Sequence, residues 1–536
     1  MTDYTPDARE ESLALPSLLP PQYLVREVVC FAVAFVGALL LYVPFLSIQF
    51  DINSIIEAQA VERGGTFLFS PNRLLYRAIG ALGYELALQS SGPSLPLLQF
   101  LSAFLSTVAI AVFCVVTFRL TRSMTVAFWA SALLATSWSF WAYSTDAYYI
   151  TPAALAIFCA LALLIPATTS LRAAIGAGVF VWAGILLWQA NIFAIPLCLG
   201  LLLFYAPRHA RRRRRTNALA FLVVVGGLTA ASYLTAAIAV HGLADGPALL
   251  DWLLSHGSDQ FGRPPIWGVW SLDRVPAAFL AAISSWIPVW DGLGLRKLAQ
   301  GQIQLHKVIP QLSLVALGML LALLGHELTR WKSARPESKR LGWLLLAGYL
   351  AYLPFVVWWD PAPKWFVIPN AFLVLGAALL LSRYLHRRNP GPVFLYAGLV
   401  AIIAAANLSS SVYPRHTTPG AEIPIAECFV QATTPRDTLV PLDWVWTEYA
   451  TYLFGYRGAV LGLPPNLSAV GPIRAAIESA ERSGGNVYVV DKRDAPPDVQ
   501  QRIRDTGYAL DAVLAFEHQP AFSCGDVRFS RLQIAP

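Results

Sequence analysis

Two aspartates stand where a carboxylate could do chemistry. Asp51 lies in Ser47-Ile48-Gln49-Phe50-Asp51-Ile52-Asn53, directly after the first long apolar stretch, with Glu57 and Glu62 farther along the same segment. Asp146 lies in Tyr143-Ser144-Thr145-Asp146-Ala147-Tyr148-Tyr149, a turn between two apolar stretches. A charge at the edge of a membrane span is costly unless it has a partner or a task. Two carboxylates converging at one membrane face could accept a hydroxyl proton and orient an acceptor during attack on a sugar carbon. Each is also placed to cap the helix that follows it, since an acid is favourable at a first helical turn.

The elements that must position these groups are helices in lipid. Of 536 residues, 56% are hydrophobic and 13% charged, against about 25% charged in ordinary soluble domains, and the mean hydropathy is +0.54. A bilayer core needs about 20 mostly apolar residues per helical span. Such stretches are expected near residues 27–49, 96–118, 124–143, 150–168, 173–190, 192–206, 217–240, 309–329, 341–359, 367–385 and 393–409. The fold class is therefore a polytopic α-helical membrane protein of about eleven spans.

Loop charge tests that count. With a cytoplasmic N-terminus, the inside loops hold Arg119 and Arg122; Arg172; Arg208 with Arg211 to Arg215; Arg330, Lys332, Arg335, Lys339 and Arg340; and Arg383, Arg387 and Arg388. The opposite connections, around Asp146, Gln189 and Asp360 to Lys364, carry one lysine and no arginine. This is the asymmetry the positive-inside rule requires, and it accounts for the net charge of +7 without nucleic acid as a partner. An odd number of spans then sends the tail after Ser409 outside. The apolar stretch Val275 to Trp290 is too short to span and reads as a re-entrant or interfacial helix. The polar, proline-rich start, Met1 to Gln22, is unlike a cleavable secretory signal, so the first span is expected to stay as an anchor.

Three regions surround the spans. Asp51 to Ser91 is expected to form amphipathic helices on the outer membrane face. The long outside loop, about Gly242 to Lys307, carries Trp252, Trp267, Trp270, Trp286 and Trp290, suited to interfacial anchoring or to packing against a sugar ring or lipid tail. The tail, residues 410–536, mixes short β-branched runs, Asp437 to Pro441 and Asn486 to Asp491, with helical patterns at Pro472 to Arg482 and Pro497 to Asp505, as a small α/β domain would. Cys428 and Cys524 could form one bridge there in an oxidising compartment. Cys30, Cys114, Cys159 and Cys198 sit in apolar stretches as small hydrophobes. Asp443, Trp444, Trp446 and Glu448 are residues that could meet an acceptor glycan or build the tail's core.

No phosphate-cradling loop, zinc-ligand cluster or nucleophile elbow occurs. What does occur is an ordered set of weak motifs: Asp51 after the first span; Phe69-Ser70-Pro71-Asn72-Arg73-Leu74-Leu75-Tyr76; Ala135-Thr136-Ser137-Trp138-Ser139-Phe140-Trp141 leading to Asp146-Ala147-Tyr148-Tyr149; and Trp359-Asp360-Pro361-Ala362-Pro363-Lys364-Trp365. Their order and topology resemble the GT-C superfamily of polyprenyl-phosphate-sugar glycosyltransferases, especially the bacterial branch close to protein mannosyltransferases. The resemblance covers roughly residues 25 to 410. Many relatives carry His-Pro where this chain reads Ser70-Pro71-Asn72, and Asn53 stands where some carry a second acid.

The resemblance implies a membrane domain over residues 27–409 with outside loops 51–95 and 242–307, after a cytoplasmic segment 1–26, and a periplasmic α/β domain over 410–536. It implies Asp51 as catalytic base and Asp146 as the acceptor-binding or metal-binding acid. Lys364 and Arg73 would grip the donor phosphate, with Tyr148 and Trp365 beside them. The implied reaction is inverting transfer of a sugar from a polyprenyl-phosphate-linked donor to a lipid, glycan or protein acceptor at the outer face of the inner membrane. It needs no nucleotide, and a divalent metal ion is the one cofactor the carboxylates leave open. A flippase of lipid-linked glycans would instead place charges inside the spans, where few lie; a non-catalytic scaffold would tolerate loss of Asp51.

Overall fold

The computed structural model describes residues 21–534 except 89–91, 166–169, 206–210, 255–269, 273, 289–304, 330–335, 387–390, 443–444, 463–468 and 506–507. Trp267 and Trp290 of the tryptophan-rich loop, Arg208, Arg330, Lys332, Arg335, Arg387 and Arg388 of the basic loops, and Asp443 and Trp444 of the tail lie outside the described residues, as does the segment 1–20.

Apolar helices occupy all eleven expected places: α1 (Pro21–Tyr42), α4 (Leu95–Thr121), α5 (Met124–Thr136), α7 (Ile150–Leu164), α8 (Leu171–Leu187), α9 (Ile195–Gly200), α10 (Arg211–Thr235), α13 (Leu305–Thr329), α14 (Pro336–Trp359), α15 (Val367–His386) and α16 (Gly391–Asn407). Among the described residues, six helical runs are long and apolar enough to cross a membrane. The 22 residues of α1 reach about 33 Å at 1.5 Å per residue, matching a hydrocarbon core of about 30 Å. Leu24, Val25, Val28, Val33, Val36 and Leu40 on α1 are exposed, as residues facing acyl chains would be. By contrast α4 packs on α1, α5 and α7, and α15 packs on α5 and α14, so both are interior.

Short helices link and brace the bundle. After α1 come α2 (Ile52–Arg63) and α3 (Leu74–Leu88); α6 (Trp138–Ser144) follows α5; α11 (Gly246–Leu254) and α12 (Arg274–Ser284) lie in the long loop; and α17 (Tyr413–Thr417) ends the last helical run. Of the amphipathic helices expected on the membrane face, α3 keeps Leu82 and Leu86 exposed, whereas α2 is a packed element. Ser54, Ile55, Glu57, Ala58, Ala60 and Val61 of α2 are buried, because α3 and α4 cover one side of it and the tail covers another.

The helix α12, 11 residues long, is the short helix expected within Val275 to Trp290. Its C-terminal continuation is threaded through the bundle, with Ser284, Ser285 and Ile287 buried. Irregular backbone at that depth needs protein partners, and it has them. Between α5 and α6 the chain turns extended at Ser137 (φ −59°, ψ 140°), which releases two backbone donors. Trp138 N–H then donates to Trp286 O (3.1 Å) and Ser139 N–H to Ser285 O (3.0 Å). Asn407 Nδ2 donates to both Thr136 O (2.7 Å) and Trp286 O (2.8 Å), locking α16 onto the crossing.

The tail adds α18 (Glu422–Ala432), α19 (Val445–Tyr452), α20 (Val470–Ser483), α21 (Pro497–Asp505) and α22 (Leu510–Leu514) around one sheet. Its strands are β1 (Thr438–Val440), β2 (Ala459–Val460), β3 (Val487–Val490), β4 (Glu517–Cys524) and β5 (Val527–Gln533), in the order β2-β1-β3-β5-β4. β1 runs parallel to β2 and β3, and β5 antiparallel to β3 and β4. All of β3 is buried, as its apolar run Val487 to Val490 requires of a central strand. The Cys428–Cys524 disulfide ties α18 to the end of β4, with Cα atoms 5.7 Å apart.

Candidate active site

Asp51 is the N-cap of α2. Its Oδ1 accepts from Asn53 N–H (2.9 Å) and Asn53 Nδ2 (2.7 Å), so the capping and the functional readings of this carboxylate coexist: no donor among the described residues engages Oδ2. Asp146, fully buried between α6 and α7, accepts at Oδ2 from the Asp51 N–H (2.7 Å) and at Oδ1 from its neighbour Ala147 N–H (2.8 Å). The two aspartates that the sequence separates by two spans are thus joined by one hydrogen bond. A third partner completes the set, because Arg415 Nη2 donates to Asp146 Oδ2 at 3.3 Å.

Electrostatics divide the pair. Burial pushes Asp146 up to about 6, opposed by the Arg415 guanidinium and assisted by the charge of Asp51. Burial also acts to raise Asp51, but Lys364, the two Asn53 donors and Arg415 outweigh it and hold this carboxyl below its ordinary value. Asp51 is therefore ionised near neutral pH, with one free oxygen.

Beside them opens a cleft of about 190 Å³ lined by Asn53, Asn72, Arg73, Tyr149, Trp188, Gln189, Phe355, Trp359, Asp360, Lys364 and Trp365. Lys364 sits on a single helical turn, Pro363–Phe366, between α14 and α15. Its ammonium lies 4.9 Å from the Trp365 ring centre and 5.5 Å from that of Tyr148, and no carboxylate among the described residues is within ion-pairing distance of it. Trp365 stacks on Trp188 (5.7 Å, 14° between planes) and Tyr148 on Tyr149 (4.9 Å, 17°), giving the cleft rigid aromatic walls.

Arg73 is not on a solvated helix face. It is 8% exposed, pairs with the buried carboxylate of Glu57, and lies over the Tyr149 ring at 5.0 Å. Arg77 takes the other Glu57 oxygen at 2.8 Å, so one acid holds two guanidinium groups. Two buried donors at the cleft, Arg73 Nε and Trp365 Nε1, have no partner among the described residues. An unpaired buried donor costs about 1–3 kcal/mol, which a bound oxyanion or sugar oxygen would recover.

Of the six residues singled out from the sequence, Arg73, Lys364 and Trp365 line the cleft; Tyr148 lies beside Lys364 and stacks on Tyr149 of the wall, and Asp51, bonded to Asp146, adjoins the lining residues Ile52 and Asn53. Three others were not foreseen: Trp188, Arg415, and Tyr449 of α19, whose hydroxyl donates to Phe50 O at 2.5 Å. For Arg415 a signal existed, since with the expected topology an arginine just after the last span would stand on the side where cations are scarce.

No family model matches the chain, and no curated protein matches it. Solved structures do. The oligosaccharyltransferase of Archaeoglobus fulgidus, crystallised with Zn and sulfate, matches 92% of this chain and 71% of its own, at a TM-score of 0.56 and 14% identity. ArnT from Cupriavidus metallidurans, bound to undecaprenyl phosphate, matches 96% of this chain and 98% of its own, at 0.52 and 12%. The archaeal enzyme AglB, in complex with an inhibitory peptide and a dolichol-phosphate, matches at 0.52 and 12%, over 92% of this chain and 72% of its own. At such identities fold is what is shared: this chain has the polytopic membrane fold of these solved structures.

Proposed function

We propose that the chain is a membrane glycosyltransferase that moves a sugar from a polyprenyl-phosphate donor to a cell-envelope acceptor at the outer face, with inversion and with Asp51 as base. One observation carries this: an ammonium without a carboxylate partner and two residues with unpaired buried donors, Arg73 and Trp365, line a single aromatic cleft whose wall begins at Ile52 and Asn53, next to ionised Asp51 with its free oxygen. Structural neighbours hold undecaprenyl phosphate or dolichol-phosphate, and the same ligand chemistry suits this cleft.

The donor phosphate would lie against Lys364, within reach of Arg73 Nε and Trp365 Nε1, with its sugar toward Asp51. The acceptor hydroxyl would donate to Asp51 Oδ2. As its oxygen attacks the anomeric carbon from the opposite side, the carbon–phosphate-oxygen bond breaks, its electron pair stays with the polyprenyl phosphate, and the proton passes to Asp51. Lys364 stabilises the charge developing on the leaving phosphate. Residues 27–409 would carry this chemistry and residues 410–536 would form the acceptor side. The bridge Cys428–Cys524 suits an oxidising compartment, which supports an inner-membrane location with the tail periplasmic.

Purified protein incubated with radiolabelled polyprenyl-phosphate sugars and membrane extract tests the reading. Asp51→Asn, at equal folded yield, is expected to lower the rate at least about 1,000-fold, and Lys364→Ala to raise the donor KM at least about tenfold. An Asp51→Asn protein as active as wild type would rule Asp51 out as base, and no transfer from any donor would turn attention to lipid-linked glycan transport.

A further inference from the structure

The archaeal relative in fold was solved with Zn, and a pair of aspartates invites a divalent cation. The residues of this chain do not fit one. Zn2+ takes about four nitrogen, sulfur or oxygen ligands, and Mg2+ or Mn2+, even keeping several waters, needs one or two carboxylates with oxygens free to bind it. Of the four carboxylate oxygens on Asp51 and Asp146, three are already committed: Asp51 Oδ1 to two donors of Asn53, Asp146 Oδ1 to Ala147 N–H, and Asp146 Oδ2 to Asp51 N–H and Arg415. The nearby acid Glu57 is shared between Arg73 and Arg77. Among the described residues no group of three His, Cys, Asp or Glu side chains converges on a possible ion.

A guanidinium occupies the position instead, and it is held there from the start of the tail. The last helical run continues from α16 through Leu408–Val412 into α17, which lies along the strand of chain leading to Asp51. Arg415 O accepts from Ile48 N–H (2.8 Å) and Gln49 N–H (3.2 Å), while Arg415 Nη2 donates to Gln49 O (3.2 Å). The next residue, His416, bonds through Nδ1 with Leu46 O (2.9 Å) and meets the Phe45 ring edge-on at 5.9 Å. Ser47 N–H donates to Thr145 O at 2.9 Å. Three segments far apart in sequence, Leu46 to Asp51, Thr145 to Ala147 and Arg415 to His416, are thus knitted into one unit.

We infer that Arg415 is a positioning residue that takes the place of a divalent metal: its fixed charge compensates buried Asp146, whose bond to the Asp51 N–H aims the base at the cleft. The inference rests on the glycosyltransferase reading for its kinetic consequences but not for its binding consequence. A guanidinium serves this role well because it stays protonated at every working pH and its donors lie in a rigid plane.

Two measurements test it. In the first, Mn2+ alone is titrated into metal-stripped full-length protein and followed by electron paramagnetic resonance. No stoichiometric site is expected, whereas one bound Mn2+ per chain that Asp146→Asn removes would overturn the inference, whether or not any sugar donor is found. In the second, made with a donor that wild type uses, transfer is expected to be unchanged by EDTA. Arg415→Ala should lower kcat at least about 100-fold while the donor KM stays within about threefold, and Arg415→Lys or added guanidinium should restore at least about a tenth of the loss. Transfer abolished by EDTA and restored by Mg2+ or Mn2+, or full activity in folded Arg415→Ala protein, would refute the role.

Discussion

At the scale of single residues, the two aspartates have opposite electrostatic fates although their sequence settings look alike. Asp51 is held below the ordinary carboxylate value by the cations around it, and Asp146 is pushed up to about 6 by burial, with Arg415 in contact and Asp51 alongside. The sign of the pH effect follows. As pH falls through about 6, Asp146 takes up a proton and its ion pair with Arg415 is lost, while Asp51 stays ionised. The acid limb of kcat/KM should therefore fall near pH 6 and belong to the positioning acid rather than to the base. In Asp146→Asn the residual rate should become flat down to about pH 5. An unchanged limb in that variant would assign it to another group. The residue types and their neighbourhoods were legible from the chain, including both aspartates and Lys364. The pairing of Arg415 with Asp146 was not, because the two lie 269 positions apart and no local pattern records such a contact.

At the scale of elements, the site depends on helices that stop early. The break at Ser137 frees the Trp138 and Ser139 amides, and the buried carbonyls of Ser285 and Trp286 receive them. Asn407 closes the crossing, so Asn407→Ala takes the amide donor from the Thr136 carbonyl and leaves Trp286 O with the Trp138 N–H alone. A loss of about 1–3 kcal/mol is expected, read as a lowered thermal midpoint in detergent; a midpoint unchanged within error would mean that water or a neighbouring donor replaces the amide. The places of the spans could be read because apolar stretches of about 20 residues have few alternative fates in lipid. In the tail, β1, β3, α20 and α21 arose where the periodicity pointed. The β4–β5 hairpin did not announce itself. Its turn is only Gly525 and Asp526, with Gly525 at φ +59°, and β4 is an edge strand carrying Pro520 at a bulge. Proline is tolerated in such strands because an edge has no ladder bond to lose there, and the same proline hides the strand from a pattern search.

At the scale of the whole molecule, the tail is part of the site's support. Tyr449 holds Phe50 O, Tyr452 donates to Glu62 (2.6 Å), and Gln59 donates to Glu448 (2.9 Å), so α19 is laid along α2. Glu448, a candidate to contact an acceptor, is thereby engaged by α2, and Trp446 is buried against Phe429 and Phe529 in the tail's own core. The Cys428–Cys524 bridge closes a long loop, spanning 96 positions. Cys428→Ser with Cys524→Ser should cost about 2–5 kcal/mol and lower the thermal midpoint. A double variant as stable as wild type would show that packing alone holds the tail. The amino-acid sequence by itself determined the solvent, the places of the apolar helices and the α/β character of the tail, because hydropathy and period act locally. Only the tertiary structure decided which carboxylate keeps a free oxygen, that Arg415 supplies the positive charge beside Asp146, and that the tail braces the chain at Asp51. Those outcomes depend on burial and on contacts between segments hundreds of residues apart, and such contacts exist only once the helices have packed.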